Sequence, residues 1–189
     1  MRRATRLLLG IAVLAGSLAV TACGARFPEL PEAVGEDFPD GAIHTAVAWP
    51  SDWLEGLAGE SEAVGGQIVG LRLEFVDDTW MWRLRSRDPG YDLFGESITE
   101  PDRGREALVD AATHEVVAQR HVELTEAELT PGRIAALTAA RLSGERYPSP
   151  RIVAMESIVE DDGPAWRITL RDTETGAQSL TTVSEEPLP

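Results

Sequence analysis

One stretch of this chain occurs twice, and the duplication constrains the fold more than any other feature. Residues 68–88 read IVGLRLEFVDDTWMWRLRSRD and residues 152–172 read IVAMESIVEDDGPAWRITLRD. At a constant offset of 84 the copies agree at Ile68/Ile152, Val69/Val153, Asp77/Asp161, Asp78/Asp162, Trp82/Trp166, Arg83/Arg167, Arg87/Arg171 and Asp88/Asp172. Each copy alternates apolar and polar residues on both sides of an acidic turn, which predicts two β-hairpins.

The alternation assigns the side chains to two faces of a sheet. In the first copy the predicted core set is Val69, Leu71, Leu73, Phe75, Trp80, Trp82 and Leu84, and the opposite set is Arg72, Glu74, Arg83 and Arg85. The second copy sets Trp166, Ile168 and Leu170 against Arg167, Thr169 and Arg171. Between Met155 and Val159 the alternation slips, which predicts a β-bulge there.

A short helix is predicted before each hairpin. Pro50-Ser51-Asp52 begins the first, because Asp52 and Glu55 have the spacing of a capping box. Thr130-Pro131 begins the second, since proline is favoured at the first helical position, and Gly144 is its predicted end. The fold class expected from this order is α+β, with two repeats that each pack one helix on one face of a small antiparallel β-sheet.

The N-terminus has the pattern of a bacterial lipoprotein signal. Residues 1–22 contain three arginines, an apolar run and then small residues, the order of a secretory signal that is too short for a stable membrane span. Val20-Thr21-Ala22-Cys23 resembles a lipobox, which implies cleavage before Cys23, a diacylglyceryl thioether on its sulfur and an acyl chain such as palmitate on its amino group. The alternative is an ordinary cleavage site beside a chance cysteine. We expect a lipid-anchored protein on the extracytoplasmic side of the cell membrane.

These features divide the chain into four segments: the signal peptide 1–22, an acidic proline-containing tether 23–43, and two units at 44–124 and 125–189. The tether combines prolines with like charges, which favours an extended chain. Fully extended, it would span roughly 60 Å. The alternative is that Phe27 or Phe38 docks on the domain.

Charge argues against a nucleic-acid partner. All 17 basic residues are arginines. Without the signal peptide the chain has 14 arginines and 32 acidic residues, a net charge of −18. Such a body is repelled by nucleic acid and by anionic lipid headgroups. The chain has neither lysine nor asparagine, which excludes a P-loop, a Schiff-base lysine and N-glycosylation. Because the single cysteine is in the lipobox, no disulfide is expected.

Three motifs resemble PepSY domains, the modules of thermolysin-type protease propeptides and many bacterial envelope proteins. They are the helix openings at 50–52 and 129–131, the acidic turn with an aromatic restart at 161–166, and the ending ALVDAATHEVV at 107–117. The ending is similar to the family's V-D-A-x-T-G-E-V-L, with His114 in place of glycine, so left-handed backbone is expected there. The second copy keeps the glycine, Gly176. The resemblance covers about residues 44–184 and implies inhibition or local regulation of a protease, without catalytic residues.

No strong catalytic or metal-binding signature is present. The sequence lacks HExxH, paired CxxC, GxSxG and EF-hand patterns, so we expect no cofactor, no metal and no enzymatic activity. Asp77-Asp78 and Asp161-Asp162 are interpreted as turn residues rather than acid–base pairs. His114 and His121 are expected on faces that one metal ion could not bridge.

Five arginines are the candidate partner-binding residues: Arg83, Arg85, Arg87, Arg167 and Arg171. They are predicted to form basic rows on the outer face of an acidic body, where an acidic peptide or the tether's own carboxylates could bind. The alternative, which we favour, is cross-strand ion pairs with Glu74 and Glu156, worth ~0.2–1 kcal/mol each.

The function that these patterns favour is a non-catalytic, membrane-anchored lipoprotein. It would bind a protein or peptide partner on its outer sheet face or at the loop 89–103, for example by strand addition. Inhibition or regulation of an extracytoplasmic protease is the alternative that the family resemblance implies. An enzyme of unknown type is the third hypothesis.

Overall fold

Seven strands in a single antiparallel sheet make up most of the described structure. The computed structural model describes residues 29–33, 38, 47–50, 66–87, 102–130 and 132–184. The strands are β1 (Ile68–Val76), β2 (Thr79–Arg87), β3 (Arg103–Asp110), β4 (Val116–Glu123), β5 (Arg151–Glu160), β6 (Gly163–Arg171) and β7 (Gln178–Ser184). Two short helices, α1 (Glu126–Leu129) and α2 (Ala136–Leu142), separate β4 from β5 along the chain. The strand order is β4-β3-β2-β1-β5-β6-β7.

The predicted hairpins β1–β2 and β5–β6 are confirmed, but the expected fold class is wrong. The described residues form a largely β structure, not two α+β repeats with a helix on a small sheet each. The physical reason is that β1 and β5 would each leave a row of unpaired backbone N–H and C=O groups at the edge of a small sheet. Pairing β1 with β5 over three residue pairs satisfies part of both rows and joins the two apolar faces into one core.

The join between β1 and β5 has the contact pattern of a two-fold axis. Its central pair is Leu71 with Met155, which are equivalent positions at the offset of 84. Gly70 pairs with Glu156 and Arg72 pairs with Ala154. Because Gly70 is equivalent to Ala154 and Arg72 to Glu156, the two outer pairs are equivalent to each other with the strands exchanged. Two-fold symmetric oligomers have such self-complementary interfaces. Here the interface lies within one chain.

Both hairpins deviate from regular pairing at equivalent residues. In β1 the register shifts between Ile68 and Gly70, and in β5 it shifts between Ile152 and Ala154. Each shift marks a bulge that turns the strand locally. The bulge predicted between Met155 and Val159 is wrong, because β5 pairs regularly with β6 from Ala154 to Glu160, and the bulge of β5 lies at the start of the strand.

Equivalent tryptophans fix the chain segments that precede Pro50 and Ala136. The indole nitrogen of Trp82 donates to the carbonyl oxygen of Ala48 at 3.0 Å, and the indole nitrogen of Trp166 donates to the carbonyl oxygen of Ile134 at 2.8 Å. Buried indole N–H groups need such a partner. Each accepting carbonyl lies two residues before a helical residue, Pro50 in the first case and Ala136 in the second.

The predicted start of the second helix is wrong. Thr130 is the C-cap of α1, and α2 begins only at Ala136. Thr125 and Glu128 form a capping box at the start of α1, which competes for the same stretch of chain. Gly144 follows α2 with a φ of 87°, in the left-handed region that favours glycine. Of the first predicted helix, residues 51–65 lie outside the described residues.

A single large cluster of apolar side chains covers one face of the sheet, here called the core face. It contains Trp82, Leu84, Met155, Trp166 and Ile168 from both hairpins, together with Trp49 and the alanines of α2. The predicted alternation of β1 and β2 is confirmed, because Leu71, Leu73, Trp82 and Leu84 are buried in this cluster. The opposite face, here called the outer face, carries the charged rows.

Part of the segment predicted as a tether contacts the folded domain. Leu30 is 5% exposed and packs in a small cluster with Leu108 and Ala118 on the outer face. The ring of Phe38 lies 5.2 Å from that of Trp80, next to the core cluster. The alternative in which Phe38 docks on the domain is therefore observed, whereas Phe27 lies outside the described residues. Within the described ranges, no helix is both long and apolar enough to cross a bilayer.

Candidate functional site

A groove of about 500 Å³ opens on the outer face, over the join between β1 and β5. Gly70 and Ala154, the equivalent small residues beside the central pair of the join, line it. Their lack of bulk leaves space at the middle of the sheet. Around them stand long polar side chains, among them Arg72, Arg83, Arg85, Glu128, Glu156 and Arg167.

Arg83 is the centre of a buried ion network beside this groove. Its side chain is 5% exposed, and it faces Glu74, which is fully buried. Nε and Nη2 of Arg83 donate to the two carboxylate oxygens of Glu74 at 3.0 and 2.9 Å, while Nη1 donates to Glu106 at 2.9 Å. Nη2 also donates to the carbonyl oxygen of Pro31 at 2.9 Å. A planar guanidinium can satisfy several carboxylates in this way because its donors have a fixed fork geometry.

Arg85 extends the network to α1. Its Nε and Nη2 donate to the two oxygens of Glu128 at 2.5 and 2.9 Å, and its Nη1 donates to Glu106 at 3.1 Å. Glu128 in turn accepts from the backbone N–H of Thr125 as part of the capping box. The helix cap and the sheet network therefore share one carboxylate, which fixes α1 on the outer face.

The network shifts the ionisation of its carboxylates. Burial by itself would raise the pKa of Glu106, but the positive charges of Arg120 and Arg83 outweigh it and hold this pKa below its ordinary value. For Glu128, burial is likewise outweighed by the hydrogen bond from Arg85, and its pKa is lowered. Hydrogen bonding to Glu74 overcomes the burial of Arg83 and raises the pKa of its guanidinium. The carboxylates of Glu106 and Glu128 and the guanidinium of Arg83 are therefore charged at neutral pH.

Arg72 and Arg167 are the most solvent-accessible of the arginines that line the groove. The side chain of Arg72 is 37% exposed and bonds one oxygen of Glu74. Arg167 is 48% exposed, and its Nη1 donates to Glu156 at 3.0 Å. Because these guanidinium groups reach solvent, a ligand carboxylate could contact either of them.

The structure brings only three of the five candidate arginines to the groove. Arg83, Arg85 and Arg167 line it. Arg171 instead places its guanidinium carbon 4.9 Å from the ring centre of Phe38, and Arg87 ends β2 opposite Gly104. The ion pairs that the sequence favoured, with Glu74 and Glu156, are both present. In the described part of the tether, Arg83 binds a carbonyl oxygen and not a carboxylate.

The other candidate groups occupy turns and strands. Asp77 and Asp78 form the β1–β2 turn with φ values of 49° and 62°, as expected for a two-residue hairpin loop. His121 contacts Arg103 on the neighbouring strand, and His114 lies in the β3–β4 turn. Within the ranges that the structure describes, no three His, Cys, Asp or Glu side chains are grouped to hold a metal ion. Residues 88–101, most of the loop considered as a binding site, and Cys23 lie outside them.

Sequence reasoning missed several groove residues. Gly70 and Ala154 could have been found as small residues at equivalent outward positions of the duplicated stretch. Glu128 could have been found from the capping-box spacing T-x-x-E at 125–128. Nothing in the sequence indicated Glu106, because its partners Arg83, Arg85 and Arg120 come from the strands on either side of it, β2 and β4.

No family model and no curated protein matches this chain. Among solved structures, it is similar to one described as a “putative lipoprotein (CD1622)” from Clostridium difficile 630. The two chains are 11% identical with a TM-score of 0.37, and the similarity covers 74% of this chain and 96% of the other. Similarity at this level assigns neither a family nor an activity.

Proposed function

We propose that this protein is a membrane-anchored, extracytoplasmic, non-catalytic lipoprotein that binds an extended protein segment in the groove of its outer face. The lipobox ending at Cys23 supports the anchor. The observation that carries the binding role is the groove itself, which lies where two small residues interrupt a wall of ordered polar side chains.

The size of the groove suits a short peptide. Ligand sites of roughly 300–1,000 Å³ are typical of small molecules, and a space of about 500 Å³ holds a few residues of an extended chain. Thr125, Ser157 and Thr169 line it with hydroxyl groups, which can donate to and accept from a peptide backbone.

The charges of the groove favour an acidic side chain on the bound segment. All four arginines that line the groove are paired with glutamates, and Arg83 and Arg85 are the more buried of the four. Arg72 and Arg167 are exposed beside them, and arginine recognises a carboxylate by two parallel hydrogen bonds. In a body of net charge −18 this groove is a local exception.

The binding role is tested with a bulky residue in the groove. Peptides selected from a random seven-residue library on the native domain are titrated by calorimetry against the native domain, Ala154→Trp and Leu142→Trp. Ala154 lines the groove, whereas Leu142 is 61% exposed on α2 and serves as the matched control. We expect Ala154→Trp to weaken binding at least about tenfold, a loss of ~1.4 kcal/mol, with Leu142→Trp unchanged. Selected peptides that bind Ala154→Trp as well as the native domain would remove the groove as the site.

The anchor is tested separately on the full-length chain in bacterial cells. Mass spectrometry of the N-terminal peptide is expected to show a diacylglyceryl group on Cys23, and a Cys23→Ala variant is expected in the soluble envelope fraction. A chain cleaved elsewhere, or one with an unmodified Cys23 thiol, would contradict the proposal.

A further inference from the structure

We infer that residues 29–33 form a short leash that holds the outer face, with its groove, toward the membrane. The inference rests on the proposed lipid at Cys23, but it concerns the orientation and the reach of the domain. Its consequence is that the partner of the groove is a juxtamembrane segment of another membrane protein.

The leash is bound to the sheet by an apolar and a polar contact. Leu30 is 5% exposed against Leu108 and Ala118, which lie on the outer sides of β3 and β4. One residue later, the carbonyl oxygen of Pro31 accepts from Nη2 of Arg83 at 2.9 Å. Because Glu74 and Glu106 already orient this guanidinium, it offers Pro31 a preformed donor.

Docking at Leu30 shortens the reach of the tether. Only six residues lie between Cys23 and Leu30, so the chain between them spans at most about 25 Å. The whole tether, if free, would reach roughly 60 Å. The lipid therefore keeps the attachment point within about 25 Å of the bilayer surface.

The attachment point also determines which face is near the membrane. Ala33, at the end of the described leash, lines the groove, so the leash and the groove share the outer face. α2 and the core cluster lie on the opposite face. With a leash this short, the core face can approach the bilayer only if the chain passes around the edge of the sheet.

A juxtamembrane protein segment fits this position better than a lipid headgroup. The domain is strongly acidic, and an acidic body is repelled by anionic bilayer surfaces. The two exposed arginines of the groove can instead bind carboxylates of a neighbouring protein chain.

The orientation is tested by energy transfer on the full lipoprotein in phosphatidylcholine nanodiscs. A donor dye is placed on an introduced cysteine, either Glu156→Cys or Leu142→Cys, and the acceptor is a labelled lipid. Glu156 is 59% exposed beside the groove, and Leu142 is 61% exposed on α2. The native thiol of Cys23 carries the lipid and does not react.

We expect energy transfer from position 156 to be at least about twofold greater than from position 142. The reason is that position 142 is on a helix, and a helix layer lies on the order of 10 Å behind a sheet. Inserting twenty Gly/Ser residues after Gly24 leaves the docked contacts in place and is expected to lower transfer and to abolish the difference. Leu30→Glu is expected to do the same by releasing the leash, whereas Glu32→Gln, at an exposed position, is expected to leave it intact.

Equal transfer from positions 156 and 142 in the native leash would overturn the inference, as would a difference that survives the insertion. A protein that does not remain on the nanodiscs would contradict the lipid anchor instead. The two failures are therefore distinguishable.

Discussion

At the scale of single residues, the outer face shows how an acidic protein uses its few cations. Glu74, Arg83 and Glu106 are each at most 5% exposed, and buried charges are tolerated only when they are paired. Arg83 donates hydrogen bonds to both carboxylates and to a backbone carbonyl oxygen. Among the described residues, Arg167, the equivalent residue of the second hairpin, pairs only with the exposed carboxylate of Glu156. Equivalent residues of the duplicated stretch therefore have unequal roles.

Removing the Arg83 guanidinium should strongly lower the free energy of unfolding of the domain. Arg83→Met leaves Glu74 and Glu106 buried with reduced compensation, and breaking a buried pair in this way costs about 3–5 kcal/mol. The matched change Arg167→Met removes an exposed pair and should cost less than about 1 kcal/mol. Urea unfolding followed by tryptophan fluorescence compares the two variants, and equal losses would contradict a buried network.

The same carboxylates predict the pH dependence of stability. The pKa values of Glu106 and Glu128 are lowered by folding from an ordinary value of 4.5. Their contribution is therefore fully present above about pH 4.5 and is lost as the pH falls through the folded values. We expect the free energy of unfolding to be level between pH 7 and 5 and to decline below that.

Glu106→Gln provides the control for this pH dependence. The variant should be less stable at pH 7 and should lose less further stability on acidification. Unfolding curves measured at each pH check this, and an acid slope as steep as that of the native protein would assign the effect to other groups.

At the scale of elements, two turns share an aspartate that accepts backbone hydrogen bonds but differ in the residue at their left-handed position. At the end of β3 the carboxylate of Asp110 accepts from the backbone N–H groups of Ala112 and Thr113. After β6, the hydrogen bonds that Asp172 accepts from Thr175 and Glu174 lower its pKa to about 2. Four residues after each aspartate the backbone is left-handed, with φ values of 63° at His114 and 72° at Gly176. The left-handed backbone predicted at His114 is confirmed.

Substitutions at these two left-handed positions should change stability in opposite directions. Gly176→Ala places a Cβ in left-handed backbone and should cost about 1–2 kcal/mol. His114→Gly relieves the same strain but adds entropy to the unfolded chain, so it should stabilise by less than about 1 kcal/mol. Thermal unfolding of the two variants checks the signs, and a destabilised His114→Gly would show that the imidazole contributes more than its backbone strain removes.

At the scale of the whole molecule, the β1–β5 join makes one cooperative unit of two hairpins. Only three residue pairs connect the strands, but the core cluster beneath them contains side chains from both sides. Met155 is 1% exposed at the centre of this join. Its packing therefore supports both hairpins.

Met155→Ala should weaken both hairpins together. A cavity at this position should cost about 2–5 kcal/mol, and native-state hydrogen exchange should show similar loss of protection in β2 and β6. Loss confined to β5–β6 would show instead that the hairpins open independently. Leu180→Ala, at a side chain 70% exposed on β7, is the control and should change neither.

The sequence by itself determined the hairpins, their two faces, the acidic turns and the left-handed position at residue 114. These features depend on neighbours along the chain, so alternation, turn chemistry and backbone sterics are sufficient to predict them. The predicted start of the second helix is wrong even at this local level, because a capping box and a proline, each of which favours a helix start, lie within a few residues of each other.

Only the tertiary structure decided that the hairpins share a single sheet, and where the groove lies. The pairing of β1 with β5 joins residues 82 to 86 positions apart. No local pattern states which strand edge will pair with which. The groove depends on that pairing because Gly70 and Ala154, on different strands, flank the central pair of the join. The burial of Arg83 depends likewise on Glu106 and Pro31, which approach it only when distant strands and the N-terminal segment pack on one face.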